Sequence, residues 1–206
     1  MKIKKWELWV ILTVVFTVLL SCVSFAFDCG EIRKNVLRLH ILANSDSEND
    51  QQLKLMVRDR LLRDGAELFT GSMNESQAAE AARQEIARLK AAAQDEIIKN
   101  GYTYSAEVEV AKTYFETRTY DGVTLPAGEY EAVCVSIGDA RGNNWWCVMF
   151  PPMCLPAAQS KREDKQISDV LSDTQTDIVE NKPKYEIRFK SVEVFEGLKR
   201  VFGRWI

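Results

Sequence analysis

Histidine is almost missing from this chain: among 206 residues only His40 carries an imidazole. A His-cluster metal site is thereby excluded, and any Ser/His/Asp or Cys/His mechanism would depend on that one residue. Glycine-rich phosphate loops are missing as well, the 10 Gly being scattered singly. Neither sign of charge dominates. The 27 Lys and Arg face 30 Asp and Glu, a net of −3, which gives no whole-chain attraction to nucleic acid or anionic lipid. No cofactor and no nucleic-acid partner is expected. What is present, 46% hydrophobic and 28% charged residues, suits one ordinary globular domain rather than a disordered or multipass membrane chain.

Residues 1–26 differ in kind from the rest. Lys2, Lys4 and Lys5 precede an uncharged apolar run from Leu8 to Leu20, the layout of a signal peptide. Three fates fit. Ser24-Phe25-Ala26 offers small residues where signal peptidase reads them, and cleavage after Ala26 is the favoured reading. Leu19-Leu20-Ser21-Cys22 resembles a bacterial lipobox, which would leave a lipidated Cys22. Trp6 to Phe27 nearly reaches the length of a membrane span, so an uncleaved anchor also fits. Each delivers the chain to the outer face of a membrane. Cleavage after Ala26 removes three Lys and one Glu and leaves a net charge of −5. Cys29, Cys134, Cys147 and Cys154 remain, in a compartment where disulfides persist.

The pattern over residues 30–156 predicts an α+β domain: two helices packed on a mostly antiparallel sheet of about five strands. Residues 36–43 alternate as a strand, with Leu37, Leu39 and Ile41 on one face and Arg38 and His40 on the other. The stretch from Asn44 is cap chemistry: Ser47 can accept from the amide of Asp50, and a helix carrying Leu53, Met56, Val57, Leu61 and Leu62 follows, ended by Gly65 or Gly71. A second helix runs from a cap at Asn74 to the stop signal Asn100-Gly101. Strands are expected from Tyr102, over 114–120, over 129–138 and over 143–150, with DGVTLPAG as a loop.

The last two strands read as a hairpin turning between Ala140 and Arg141. That register sets Val133 opposite Val148 and Val135 opposite Trp146 on a core face. Tyr130, Cys134, Trp145, Cys147 and Met149 fall on the other, with Cys134 facing Cys147. A Cys134–Cys147 bridge and a Cys147–Cys154 bridge therefore compete. Residues 157–184 have the composition of a polar linker or a frayed helix. The C-terminal segment 185–206 reads as a short strand, with Tyr185, Ile187 and Phe189 alternating, and then an amphipathic basic helix carrying Val192, Phe195, Leu198, Phe202 and Trp205. Such a helix either docks back on the domain or makes peripheral membrane contact through residues 192–206.

No segment assembles a catalytic centre. His40 stands two residues from Arg38, whose charge disfavours imidazolium. Cys154 has no cation nearer than Lys161, and Glu129 and Glu131 alternate on a solvated strand face. Aromatic surface is the stronger signal: Tyr130 and Trp145 beside Pro151 and Pro152 suit a protein interface, unless helices or the C-terminal segment cover that face. Arg38, His40, Asn44 and Asp46 form a second, polar candidate.

The segments LRLHILANSDSENDQQLKLMVRD (37–59) and TLPAGEYEAVCVSIGDARGNNWWCVMFPPMC (124–154), in this order behind an export signal, resemble the stage II sporulation protein R family. The resemblance covers about residues 36–155, and Cys134 stands where that pattern does not lead one to expect cysteine. It implies a non-enzymatic intercellular signal, exported from the forespore into the space between two membranes. There it would activate a membrane-embedded aspartic protease, stage II sporulation protein GA, which processes the mother-cell sigma-E precursor. An exported hydrolase using His40 and a membrane-associated structural envelope protein are the alternatives.

Overall fold

The computed structural model describes residues 4–69, 75–120, 122–151, 167 and 170–203. Among them the chain is α+β, with six helices, a four-stranded sheet and a small two-stranded one. Helix α1 (Lys5–Arg33) runs without a break through the apolar run and both candidate processing sites. Its polar C-terminal turn leads into β1 (Leu37–Leu42). Ser47 caps α2 (Glu48–Leu68) by accepting from the Asp50 amide at 3.2 Å, as its spacing predicts. The helix passes through Gly65, where a Cβ would press on the terminal methyl of Met149, and ends at Leu68; Gly71 and the Asn74 cap lie outside the described residues.

The expected second helix is two. A break at Glu85 separates α3 (Glu75–Gln84) from α4 (Ile86–Lys99), letting Ala78, Ala79 and Ala82 as well as Leu89, Ala93 and Ile97 face one sheet. The stop holds as read: Gly101 takes φ 83°, and the Tyr102 amide donates back to Ile97 O at 3.2 Å. Strand β2 (Ala106–Phe115) follows, starting at Ala106 rather than Tyr102 and taking in Tyr114 and Phe115 of the strand expected over 114–120; the end of that stretch forms β3 (Arg118–Tyr120), which pairs with β4 (Val123–Leu125) where a loop is expected from sequence. Strands β5 (Gly128–Ile137) and β6 (Asn144–Phe150) complete the sheet, and α5 (Asp173–Glu180) and α6 (Lys182–Gly203) close the chain.

The sheet order is β2-β5-β1-β6. Strand β1 lies between β5, to which it is parallel, and β6, to which it is antiparallel. The expected β5–β6 hairpin therefore does not form. Neighbouring strands lie about 4.8 Å apart, so a connection that passes over β1 must cover roughly 10 Å. The six residues 138–143 can reach that far, whereas a two-residue turn cannot. The insertion also shifts the parity of β6. Leu39 pairs with both Val133 and Cys147, which share a face, while His40 pairs with both Cys134 and Trp146. Cys134 and Cys147 thus stand on separate strands with β1 between them. Cys134 is free and Cys147 is disulfide-bonded; the other candidate bridge ends at Cys154, outside the described residues.

Both faces of the sheet are covered, which is why β1 is buried at Arg38 as well as at Leu37, Leu39 and Ile41. Helices α2, α3 and α4 cover one face with aliphatic side chains. The C-terminal part of α1 covers the other together with α5, α6 and Leu125. Two readings of the C-terminal region are corrected here. The segment expected as a polar linker contains α5, whose Ile178 and Val179 are buried beside Ile167 and Leu171. The stretch Tyr185–Phe189 is helical, because Tyr185, Phe189 and Val192 are spaced by four and three and share one buried face, while Ile187 is 86% exposed.

Candidate functional site

The site begins with a crossing. Where the β5–β6 loop passes over the end of β1, the turn that leaves β1 fastens it. Gly142 N donates to Ala43 O at 2.9 Å and Arg141 N to Asn44 O at 3.2 Å. The Asn44 Oδ1 accepts from Asp139 N at 2.9 Å, and Asp46 Oδ1 accepts from Asn143 N at 2.6 Å. Gly138, at φ 56°, leaves the Asn44 side chain the space that a Cβ would fill. From beneath, the buried Lys54 ammonium donates to Asn143 O at 2.9 Å, and burial draws its pKa down. Asp50 anchors the turn. It accepts from Asn44 and Ser45, and although burial pushes its carboxyl upward, bonds from Ser45, Asn44, Tyr104 and Ser47 outweigh that and hold it below the usual carboxylate range. Asn44, Ser45 and Asp50 are therefore structural ties, and the consequence is a rigid sheet end with Asp46, Asp139, Arg141, Asn143 and Asn144 exposed.

Strand β6 starts at that end with two tryptophans, one on each face. Trp145 lies over α2, its ring 4.5 Å from the Arg58 guanidinium carbon, with a buried Nε1 that finds no acceptor. Trp146 faces the other way and stacks on His40 at 3.8 Å with planes 2° apart. With the Asn144 carbonyl turned toward it, His40 Nε2 donates to Oδ1 at 2.7 Å. Burial lowers the His40 pKa, only partly offset by Asn144, so the imidazole is neutral at pH 7. Both tryptophans and His40 are half-buried.

Below Trp146 lies an arginine without a carboxylate. Arg38 is fully buried. Its Nε donates to Cys147 O at 3.0 Å and its Nη2 to Tyr120 Oη at 2.6 Å, while Nη1 has no partner. The faces of Phe115, Tyr130 and Tyr120 surround the guanidinium at 4.2, 4.9 and 5.2 Å. Burial lowers its pKa and the two tyrosines oppose that shift. A guanidinium remains charged regardless, so the fold carries a desolvated cation supported by ring faces.

The sequence-derived candidates separate accordingly. Arg38 is core, not surface, and so is Tyr130, which is 1% exposed with its hydroxyl donating to Pro126 O at 2.6 Å. Pro151 is buried too, and Pro152 lies outside the described residues. The reason is the second helical layer, which covers the face expected to be open. Trp145, His40, Asn44 and Asp46 gather at one sheet end. Sequence reasoning missed Trp146, Asn143, Asn144, Lys54 and Arg58. The adjacent pair Trp145-Trp146 was the available signal, since neighbours in a strand point to opposite faces whatever the register.

These features define a class: a small α+β domain behind an apolar leading helix, with a pinned, aromatic-flanked sheet end. The chain belongs to the stage II sporulation protein R family, whose family model matches residues 33–160. The stage II sporulation protein R of Bacillus subtilis (strain 168) is 37% identical over 142 residues, covering 66% of this chain and 63% of that protein. The chain thus spans less than two thirds of the length of the curated relative it matches. No solved structure matches. The family match starts at the last residue of α1 and stops before α5, so it holds the whole sheet, the crossing and the tryptophan pair. Membership makes this a sporulation protein, and its N-terminal apolar helix is compatible with a signal sequence or an anchor.

Proposed function

We propose that this protein is a non-enzymatic signal, exported from the forespore into the space between the two membranes. There it activates the membrane-embedded aspartic protease, stage II sporulation protein GA, so that the protease processes the mother-cell sigma-E precursor. Family membership supports the sporulation role, and the step to the protease rests on the resemblance of the 37–59 and 124–154 segments to that family. The observation that carries the contact site is the tryptophan pair at the start of β6, each ring stacked on a neighbour, beside exposed Asn143 and Asn144 on a loop tied down by Asn44, Asp46 and Lys54. Rigid aromatics with little entropy left to lose are effective interface anchors. Activation then needs only a higher affinity for the active conformation or assembly of the protease than for the inactive one.

The test is reconstitution of the full chain with vesicles carrying the protease and the precursor. Trp146→Ala should remove an anchor worth about 2 kcal/mol, roughly a thirtyfold rightward shift in the concentration for half-maximal processing. Asn143→Arg alters only an exposed side chain and should weaken activation while leaving Tm unchanged. Unaltered activation by both variants removes this end as the contact.

A further inference from the structure

Helix α6 has two apolar faces, and packing explains only one of them. Tyr185, Phe189 and Val192 turn inward, with Phe25 of α1 stacked on Tyr185 at 5.7 Å and meeting the edge of Phe189 at 5.4 Å. On the opposite side Ile187, Val194, Leu198 and Val201 recur at intervals of seven, four and three and are all more than half exposed, with Phe195 beside them. That spacing makes a continuous stripe along a helix, and a stripe of this kind facing water marks an interaction surface.

The position of α1 identifies what the stripe meets. Its apolar part is almost entirely unburied in the fold and long and apolar enough to cross a membrane. Contacts between the two helices run from Cys22 to Arg33 on α1 and from Tyr185 to Glu196 on α6, so α6 packs against the C-terminal part of α1, next to its apolar run. The inward face of α6 meets Phe25 and, through Glu196, Arg33 at 3.2 Å. Cys22 and Val23 of α1 and Ser191 and Phe195 of α6 share the lining of one apolar groove of about 500 Å³. The flank of α6 next to its exposed stripe therefore shares a groove with the last residues of the apolar segment of α1. Charge agrees: α6 carries six Lys and Arg against three Glu in a chain of net −3, suited to anionic headgroups.

We propose that α1 is retained as an anchor and that α6 lies in the interface of the bilayer α1 enters, its Ile187–Val194–Leu198–Val201 stripe immersed and its inner face holding the domain. Phe25, which is 3% exposed, supports retention: cleavage after Ala26 would remove its ring contacts with Tyr185 and Phe189. This is independent of the protease reading, because it concerns how the domain is held and not what it activates.

The test uses the full chain exported in a bacterium, isolated with its membranes and reconstituted in vesicles of phosphatidylethanolamine and phosphatidylglycerol. Intact mass reads whether residues 1–26 remain. A photoreactive benzoylphenylalanine replacing Val194 or Leu198, both exposed, reads what touches the stripe, with Glu186 on the charged flank as control and an unchanged Tm as the check on folding. The proposal expects the N-terminus present and lipid adducts several-fold more abundant at 194 and 198 than at 186. A soluble product lacking residues 1–26, equal yields at all three positions, or adducts to a second copy of the chain instead of lipid would each overturn it.

Discussion

The two faces of the sheet are built from different materials. Leu39, Ile41, Val133 and Val135 meet α2, α3 and α4 in an aliphatic core, all of it inside the family match. The other face is closed by Phe25, Cys29 and Ile32 of α1 and by α5 and α6, mostly outside that match, and it buries a cation among aromatic rings. Volume and area decide stability on the first face. The second adds electrostatic cost, and its covering helices join the fold to the apolar N-terminus.

Neighbouring residues of β1 test this contrast directly. Leu39→Ala should cost about 3 kcal/mol, within the usual range for a buried leucine. Arg38→Ala should cost about as much, by opening a cavity and leaving Tyr120 Oη and Cys147 O without their donor. Arg38→Met, which fills the space without the charge but leaves the same two groups without a donor, should cost clearly less than Arg38→Ala, about 1–2 kcal/mol. Urea unfolding measures all three; a loss for Arg38→Met as large as that for Arg38→Ala would mean that the guanidinium's own bonds, not its volume, support the second face.

The crossing comes next in size. Asn44→Ala removes the acceptor of the Asp139 amide and a donor to Asp50, and should cost about 2 kcal/mol. Amide hydrogen exchange should speed up at Asp139 and Arg141 while the α4 amides stay protected. Exchange that rises everywhere alike would show that the crossing is not a separate tie.

The smallest effect is pH-dependent. The His40 pKa is depressed in the fold, so the unfolded chain binds more protons below the ordinary imidazole value of about 6.5. Its contribution is therefore complete above that value and lost as pH falls through the folded pKa. His40→Gln should flatten the dependence of urea midpoint on pH below about 6.5. The same variant bears on the hydrolase reading, which demands a loss of activity by orders of magnitude.

Local signals in the sequence were reliable where local chemistry decides. The Ser47 cap, the Asn100-Gly101 stop and the alternation of β1 stand as read, and β2 alternates from Ala106 rather than from Tyr102. Pairing was not legible, since an antiparallel hairpin and a pair split by an inserted strand leave nearly the same pattern. That one uncertainty moved Cys147 to the opposite face. Tyr185, Ile187 and Phe189 misled because five residues cannot distinguish a strand from a helix whose two faces are both apolar. The candidate site was half visible: Trp145, Asn44 and Asp46 stood out, Trp146 was signalled only by standing next to Trp145, and Lys54 needed the crossing to be known.

The most direct measurement concerns which mixture cuts the sigma-E precursor. The full chain is combined in vesicles with precursor alone, with protease and precursor, and with both plus the Asn143→Arg change, and the processed product is quantified over time. The account predicts product only when the protease is present, with a rate that rises with the unaltered chain and rises less with the variant. Product from the chain and precursor alone would contradict it.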